Sequence, residues 1–579
     1  MKKKSFNLKI LKSKFFTLPL KYFKKFFTFF YNHKIFSSLL TIIILISFLI
    51  IKIILGPFGF LGMNLFSLSG FLGEKNYLVL LQNENELRPT GGFITSFAKV
   101  KMNFGKLSLE VFDSISVAPP QEYQKAPRAI EEAFVKDEKF RGWVFHDSNF
   151  NLDFRKNAEK ALFFLKKDSR FFGVEFDGVF AVDLTAIEKL IDIFGPLQIE
   201  DKTINSENLF SIMQRQAKDF DLHNEEEWKT RKKIFTPLAQ KLMQEIITSP
   251  FLWDDFFEAL GNLADKKHFL LAFVNDQLQN EILTKNWSGA LPSKDFFSIN
   301  IANLGGRKAD RFMKRNYFST FYIDENKNIQ EDFELRLAHE GTYNLQSDRY
   351  KAFIRIQRPK GTKIIKTSDN LKGEIQKKDF DHYSEFSYFL TLLPNERKTF
   401  NFNFMLPHEA SLEESNNFYF FKQPGIFDQR WEIVFKGAND LSFQSNDCNY
   451  SKKAENVFFC DLVLSQDQEI NLTLKPDQLS PIMQWINLIN LNELELRFSE
   501  KISSKITVKD IKIIDLNQKN NTLDNIKIEK VQIDNLAIKI NFSGMSEQKG
   551  EFFRIFIKDV QDISGNLTSK NPFYATFKQ

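Results

Sequence analysis

The stretch IFSSLLTIIILISFLIIKIIL, Ile35 to Leu55, constrains this chain more than any other. Only Lys52 interrupts it, near the end, where a lysine can snorkel to the interface. As a helix rising about 1.5 Å per residue, it matches a hydrocarbon core of about 30 Å. Residues 1–34 hold ten lysines and no acid. Positive charge marks the cytoplasmic flank, so the rest of the chain is expected outside the membrane. A cleaved signal peptide is the rival reading. The apolar run is long for one, and the GPFGFLG that follows offers no small-x-small cleavage site. The expectation is an uncleaved, single N-terminal transmembrane helix. The basic aromatic stretch FFTLPLKYFKKFFTFFY is expected on the inner leaflet surface.

The same tail explains the net charge. The whole chain carries +6, and setting the ten tail lysines aside leaves the remainder at −4. Nucleic-acid binding by the folded part is therefore not implied. The 579 residues are too many for one core and suggest three or four domains. Sixty-six are Phe, alongside abundant Lys, Asn and Ile, as an AT-rich genome would encode. A single Phe therefore reads as composition before it reads as a binding site.

The fold class expected is a membrane-anchored α+β or α/β ectodomain followed by all-β sandwich modules. Residues 1–34 are a basic cytoplasmic tail, 35–55 the span, and 56–75 a linker. Residues 76–316 read as an α/β core domain. YLVLL, FITSFAKVKMNF and KLSLEVFDSI read as strands, with a hairpin turn at Asn103-Phe104-Gly105-Lys106. Pro119 to Phe154 reads as a long irregular loop. VEFDGVFAVDL alternates as a strand, and Thr185 with Glu188 forms a capping-box pattern ahead of a helix ending at Gly195-Pro196. Further helices are expected from near Ser206, from near Glu225 with a kink at Pro237, and over about Trp253–Asp265. Residues 317–480 alternate as a sandwich-like module, and 481–579 form a last strand-rich module. Cys448 and Cys460 are the only cysteines; with eleven residues between them, they fit a disulfide across a hairpin or two unpaired thiols.

No phosphate loop, HExxH pair, CxxC or GxSxG elbow is present, so the common NTPase, zinc protease and serine hydrolase readings lose support. Three polar constellations remain. In LLQNENELRPTGGFITSF, Asn83, Glu86 and Arg88 precede Pro89-Thr90-Gly91-Gly92. The glycines allow an anion nest, with Arg88 clamping a phosphate. The alternative is a strand–turn–strand connection with Arg88 paired to Glu84 or Glu86. In HDSNFNLDF, Asp147, Asn149 and Asp153 could hold Mg²⁺ or Ca²⁺, or Asp153 could cap the next helix. Arg231 and Lys232 sit on a basic helical face that could bind a diphosphate or be solvated. Asp177 and Asp183 bracket a strand and could be metal or base carboxylates, or turn and cap residues.

NYLVLLQNENELRPTGGFI, HDSNFNLDF, VEFDGVFAVDLTAIEKLIDIFGPLQI, NWSGAL and FFSINIANLGGRKADRFMKR occur in one order that resembles the bacterial family catalogued as domain of unknown function 4012. QRPKGTKI and KQPGIFDQRWEI extend the likeness loosely past Phe318. The resemblance implies a membrane-anchored envelope protein. A more distant one is to the LytR–CpsA–Psr group, which moves glycopolymers from a polyprenyl-pyrophosphate carrier to peptidoglycan. It implies that Arg88 and Arg231 grip pyrophosphate, with Asn83, Glu86, Gly91, Gly92, Asn149 and Lys232 lining the ligand. Asp147 and Asp153 would hold Mg²⁺, and Asp177 or Asp183 would serve as ligand or base. A non-catalytic scaffold or adhesin binding glycan or protein is the alternative. ELRFSEKIS and KDVQDISGNL resemble bacterial Ig-like domains of surface-layer proteins, with a self-bonded turn at Asp562, Gly565 and Asn566.

Overall fold

The computed structural model describes residues 59, 64–134, 142–218, 234–324, 328–344, 347–368, 371, 374–407, 415–437, 441–444, 450–454, 457–476, 480–503, 505–516, 526–545, 552–562 and 565–579. Among them no helix is long and apolar enough to cross a membrane, and the expected span Ile35–Leu55 lies outside them. Strand predominates among the described residues, and their α-helices all precede Lys285.

The first unit begins with the short helix α1 (Asn64–Leu68) and a long hairpin of β1 (Lys75–Arg88) and β2 (Gly91–Asn103), extended by β3 (Lys106–Asp113). Phe104 and Gly105 turn the second hairpin with φ of 48° and 72°, the left-handed pair that suits strand twist. The stretch expected to be irregular contains α2 (Arg128–Phe134) and a 3₁₀ segment at Phe145–Phe150. Then come α3 (Phe154–Leu165), β4 (Gly178–Asp183), α4 (Leu184–Phe194), a small hairpin of β5 (Leu197–Ile199) and β6 (Lys202–Ile204), and α5 (Ser206–Lys218). Helices α6 (Phe235–Thr248) and α7 (Trp253–Asp265), β7 (Phe269–Phe273) and α8 (Asp276–Thr284) complete it. The sheet runs β3-β2-β1-β4-β7, with only β1 and β4 parallel.

Period-two alternation makes this a three-layer sandwich. Leu78 and Leu80 turn to one face, where Ala158, Ala161 and Phe164 of α3 cover them. Tyr77 turns to the other, against Ala264 of α7 and Leu278 and Ile282 of α8. Helices α4, α5 and α6 share a separate core through Leu190, Leu209 and Leu238. The helix start expected near Glu225 lies outside the described residues, and Pro237 falls in the first turn of α6, where proline is tolerated.

The second unit comprises β8 (Ser298–Asn303), β9 (Met313–Ile323), β10 (Ile329–His339), β11 (Tyr350–Pro359), β12 (Lys363–Thr367), β13 (Gln376–Asp379), β14 (Tyr383–Leu392), β15 (Arg397–Met405), β16 (Ser415–Phe420), β17 (Gln429–Gly437), β18 (Leu441–Gln444), β19 (Tyr450–Ala454), β20 (Val457–Leu464) and β21 (Gln468–Pro476). They form sheets of order β12-β15-β10-β9-β17-β20-β19, β13-β14-β11-β8 and β16-β21-β18. Strand β8, expected within the α/β core, pairs with β11 and so belongs to this unit. Its core is aromatic. Tyr317 stacks on Trp431 at 5.0 Å, and Phe321 on Phe435 at 5.1 Å. Within it lies the arginine of QRPKGTKI. Arg358 and Glu331, neither exposed, pair through Nε–Oε2 at 2.5 Å and Nη2–Oε1 at 2.9 Å. Cys460 is disulfide-bonded; Cys448 lies outside the described residues.

The third unit packs sheet β22 (Met483–Asn490), β23 (Glu493–Phe498), β26 (Ala537–Ser543) and β25 (Lys527–Asp534) on sheet β24 (Ile511–Asp515), β27 (Phe552–Ile557) and β28 (Phe573–Lys578). The turn at Asp562 closes on itself, Asp562 accepting from the Asn566 amide and side chain at 2.9 Å each.

Candidate functional site

The tip of the β1–β2 hairpin is where the first polar constellation resides. Its strands pair as far as Asn83↔Phe93, with one register shift between Leu81 and Gln82. They then bulge, so that Glu84, Asn85 and Glu86 stand out before pairing resumes at Leu87↔Gly92 and Arg88↔Gly91. Asn83 holds the bulge, its Oδ1 accepting from the Asn85 amide at 3.2 Å and side chain at 3.0 Å. The glycines fit because nothing else could. Gly91 has φ 125°, and a Cβ there would meet Gln82 Oε1 at 1.8 Å. A Cβ on Gly92 would lie 2.0 Å from the Asn83 carbonyl carbon. The Gly92 amide donates to Gln82 Oε1 at 3.2 Å, and its carbonyl accepts from Asn149 Nδ2 at 2.7 Å. The expected anion nest is thus filled by the chain's own side chains.

The tip projects into the second unit. Leu87 is buried in the large aromatic sandwich core, and its amide donates to Asp310 Oδ2 at 2.9 Å. The Pro89 carbonyl accepts from Asn300 Nδ2 at 3.0 Å, and the Arg88 carbonyl from Gln423 Nε2 at 3.2 Å. Gly425, with φ 79°, packs so closely that a Cβ would lie 2.8 Å from the Gly91 backbone. Asp310 binds Leu87, Asn303 Nδ2 at 2.8 Å, Tyr350 Oη at 2.8 Å, and Arg315. The tip is a plug held in a polar socket.

Arg88, 3% exposed, sits in that socket. Its Nη1 donates to the Asn303 carbonyl, its Nη2 lies 3.4 Å from Asp147 Oδ1, and its guanidinium covers the Phe93 ring at 5.2 Å. Glu86 stands among Arg88, Lys308, Asp310 and Asp147; burial outweighs the cations and raises its carboxyl above the ordinary range. Arg88, Glu86, Asn149, Gly91, Gly92 and Asp147 therefore come together, but around a contact between units rather than an open cleft.

The remaining carboxylates go elsewhere. Asp153 caps α3, accepting from the Arg155 amide at 2.9 Å. Asp177, at the start of β4, binds Lys75 Nζ at 2.7 Å and the Asn76 amide at 2.9 Å. Six residues of strand separate it from Asp183 by about 20 Å, so the pair does not converge. Arg231 and Lys232 lie outside the described residues. Among the described residues no group of three or more His, Cys, Asp or Glu is placed to hold a metal ion. The expected Mg²⁺ donors do not fit one: Asp147 faces Arg88 and His146, and Asp153 is committed to a helix cap.

A second buried polar cluster lies at the C-terminal end of β4, where only Asp183 had stood out from the residue pattern. Asp183, not Thr185, caps α4 by accepting from the Ala186 amide at 3.0 Å. Glu84, from the β1 bulge, accepts from the Leu184 amide at 3.0 Å and from the Thr185 amide and hydroxyl at 2.9 and 2.8 Å. Burial and the Asp183 carboxylate hold Glu84 above the ordinary range. His268 Nδ1 lies 2.6 Å from Asp183 Oδ2. Alongside, Lys267, wholly buried, reaches Asp467 Oδ1 at 2.5 Å and lies 3.2 Å from the Phe421 ring centre. Asp467 also accepts from the Lys422 amide, Tyr419 Oη and Asn286 Nδ2. Lys422 Nζ donates to the Lys266 carbonyl at 2.9 Å.

Burial, with Lys267 beside it, pushes Lys422 down to about 7. Between about pH 7 and the ordinary lysine range, the unfolded chain still holds a proton that the folded state has released, so stability rises with pH there. Lys422→Met removes that rise. Urea denaturation from about pH 7 to about pH 10 is expected to show the wild type gaining on the variant; parallel profiles would refute the assignment.

Residues 72–217 match the model of a family described as "Protein of unknown function (DUF4012)". This segment spans the hairpin, the HDSNFNLDF segment and the β4–α4 unit, so the family signature is present where the first unit builds its site. No curated protein matches the chain. Several solved structures overlap it in part. TagV from B. subtilis shares 10% identity over 39% of this chain and 86% of its own, with a TM-score of 0.21. A protein from Listeria innocua shares 12% over 37% and 78%, with a TM-score of 0.20. A transcriptional regulator from Enterococcus faecalis shares 11% over 38% and 77%, with a TM-score of 0.21. At that level of overlap they fix neither the fold nor an activity.

Proposed function

We propose that this chain is a single-pass, membrane-anchored protein of the cell envelope whose extracytoplasmic α/β unit and β-sandwich work as one non-catalytic scaffold. One observation carries the reading. The Leu87–Gly92 tip that would have to grip a pyrophosphate is enclosed by Asn300, Asn303, Asp310 and Gln423 of the sandwich. A ligand-gripping arginine needs open donors, whereas two backbone carbonyls and a carboxylate surround those of Arg88. The apolar run Ile35–Leu55 and its lysine-rich flank support the anchor and its orientation. The last module, which resembles bacterial Ig-like domains, serves as a spacer or adhesion unit.

The second reading is a protein that binds or transfers lipid-pyrophosphate-linked glycopolymer to peptidoglycan or a surface polymer. It keeps one point in its favour: Arg88 Nε and Asn149 Oδ1 are buried without a hydrogen-bond partner in the same neighbourhood. The readings part in one experiment. The full chain in nanodiscs is incubated with Mg²⁺ and a polyprenyl-pyrophosphate glycan. The scaffold reading expects neither binding nor turnover, and turnover would overturn it. Protease added to intact cells tests the anchor, with the folded bulk digested and the lysine-rich tail protected.

A further inference from the structure

The outer face of the third unit's three-stranded sheet has a composition unlike an idle solvated surface. Strand alternation sends Phe553, Ile555, Ile557, Ala575 and Phe577 into the core. It turns Phe552, Arg554 and Phe556 of β27, and Tyr574 and Lys578 of β28, to the outside. Register puts Phe552 opposite Lys578 and Phe556 opposite Tyr574, and on the other side Lys512 of β24 opposite Phe556. Cations and rings are interleaved. Arg554 lies over Tyr574 at 5.4 Å, Lys570 over the same ring at 4.7 Å, and Lys578 over Phe552 at 5.5 Å. Lys570 Nζ also donates to Tyr574 Oη at 2.9 Å, and Arg554 Nε to Thr576 Oγ1 at 3.2 Å. No carboxylate occupies an outward position on the three strands, as Asp515 falls on the inward parity of β24. Phe552 is 46% exposed and Tyr574 41%, so part of each ring faces solvent beside its cation neighbours.

We infer that this face binds an anionic polysaccharide. Exposed rings held on a sheet offer flat apolar plates for sugar faces, while the cations between them meet carboxylate or phosphate substituents. The arrangement fits an extended polymer better than a bilayer. A membrane wedge needs rings that project free of charge, and here ammonium and guanidinium groups lie over them. The inference does not depend on the anchored-scaffold reading, because polymer binding is measured on the purified chain whatever its topology.

The test uses the full chain in phosphatidylcholine nanodiscs, with polygalacturonate as probe. Dextran, poly-glutamate and phosphatidylglycerol vesicles serve as the neutral, peptide and membrane rivals. Polygalacturonate is expected to bind in a salt-sensitive manner, on the order of tenfold more tightly than any rival. Arg554→Glu with Lys578→Glu is expected to cost on the order of tenfold, and the exposed single change Lys512→Glu severalfold. Phe552→Ser with Tyr574→Ser is expected to weaken binding severalfold while leaving its salt dependence unchanged. Equal binding of dextran or poly-glutamate, capture by the vesicles alone, or indifference to both charge reversals would overturn the inference.

Discussion

Replacing Asp310 by alanine is expected to cost about 3–5 kcal/mol of folding stability, the range for breaking a buried ion pair from one side. This carboxylate, 4% exposed, joins the first unit's Leu87 to the second unit. Its Oδ2 accepts from the Leu87 amide and Asn303, and its Oδ1 from Tyr350 and Arg315. Alanine leaves the largely buried Arg315 guanidinium with Tyr350 Oη but no carboxylate partner among the described residues, and takes the acceptor of the Leu87 amide. Both losses fall on groups largely shielded from water. Asp310→Asn keeps an acceptor for Leu87 and discards the charge, so it should fall between wild type and alanine. Urea denaturation followed by tryptophan fluorescence would report both, since Trp431 lies in the core that receives Leu87. Hydrogen exchange at the Leu87 amide gives a local readout, expected to quicken in the alanine variant. A cost below about 1 kcal/mol, with that amide still protected, would mean the plug is held by burial of Leu87 alone.

This junction also explains which parts of the architecture could be read from the sequence. The Phe104-Gly105 turn was legible because its cause is local: two left-handed residues between alternating strands. The Gly195 stop of α4 was legible for the same reason, with φ 85° and its amide returning to the Ile191 carbonyl. The boundary near residue 316 was not. Strand β8 is short and buried on both faces, much like a strand of the first unit, and its pairing with β11 assigns it to the sandwich. The cap of α4 was missed by two residues because Thr185 and Glu188 satisfy a local rule. Glu84, a hundred positions away, takes the Thr185 amide that Glu188 would have accepted from in that pattern.

The polar motifs were visible, yet their purpose was not. ELRPTGG, FFSINIANLGGRKADRF and KQPGIF stood out as separate pieces of one family pattern. The structure makes them one object: Leu87 to Gly92 from the first, Asn300, Asn303 and Asp310 from the second, Gln423 and Gly425 from the third. Sequence spacing cannot reveal a contact between residues more than two hundred positions apart. Residues suited to gripping an anion are also those suited to satisfying a buried turn. Arginine, aspartate, asparagine and a glycine pair serve either use, and burial decides between them.

Arg88→Ala is therefore expected to lower folding stability by about 2–4 kcal/mol. The substitution leaves the Asn303 carbonyl without its guanidinium donor and Asp147 without its cation partner, in a place where both are largely shielded from water. An arginine kept for a ligand behaves differently: removing it from an unliganded protein leaves stability unchanged or raises it, because unpaired charge at a binding site is a strain on the fold. The sign and size of the change thus separate a structural arginine from a ligand-binding one without any substrate in hand. A cycle with Asp147→Leu sharpens the distinction. If the pair is a buried structural contact, Arg88→Ala combined with Asp147→Leu should cost less than the two single changes together, giving a favourable coupling of about 0.5–3 kcal/mol. If the cycle shows additivity and Arg88→Ala melts with the wild type, the socket does not depend on this arginine, and the pyrophosphate reading regains the residue it needs.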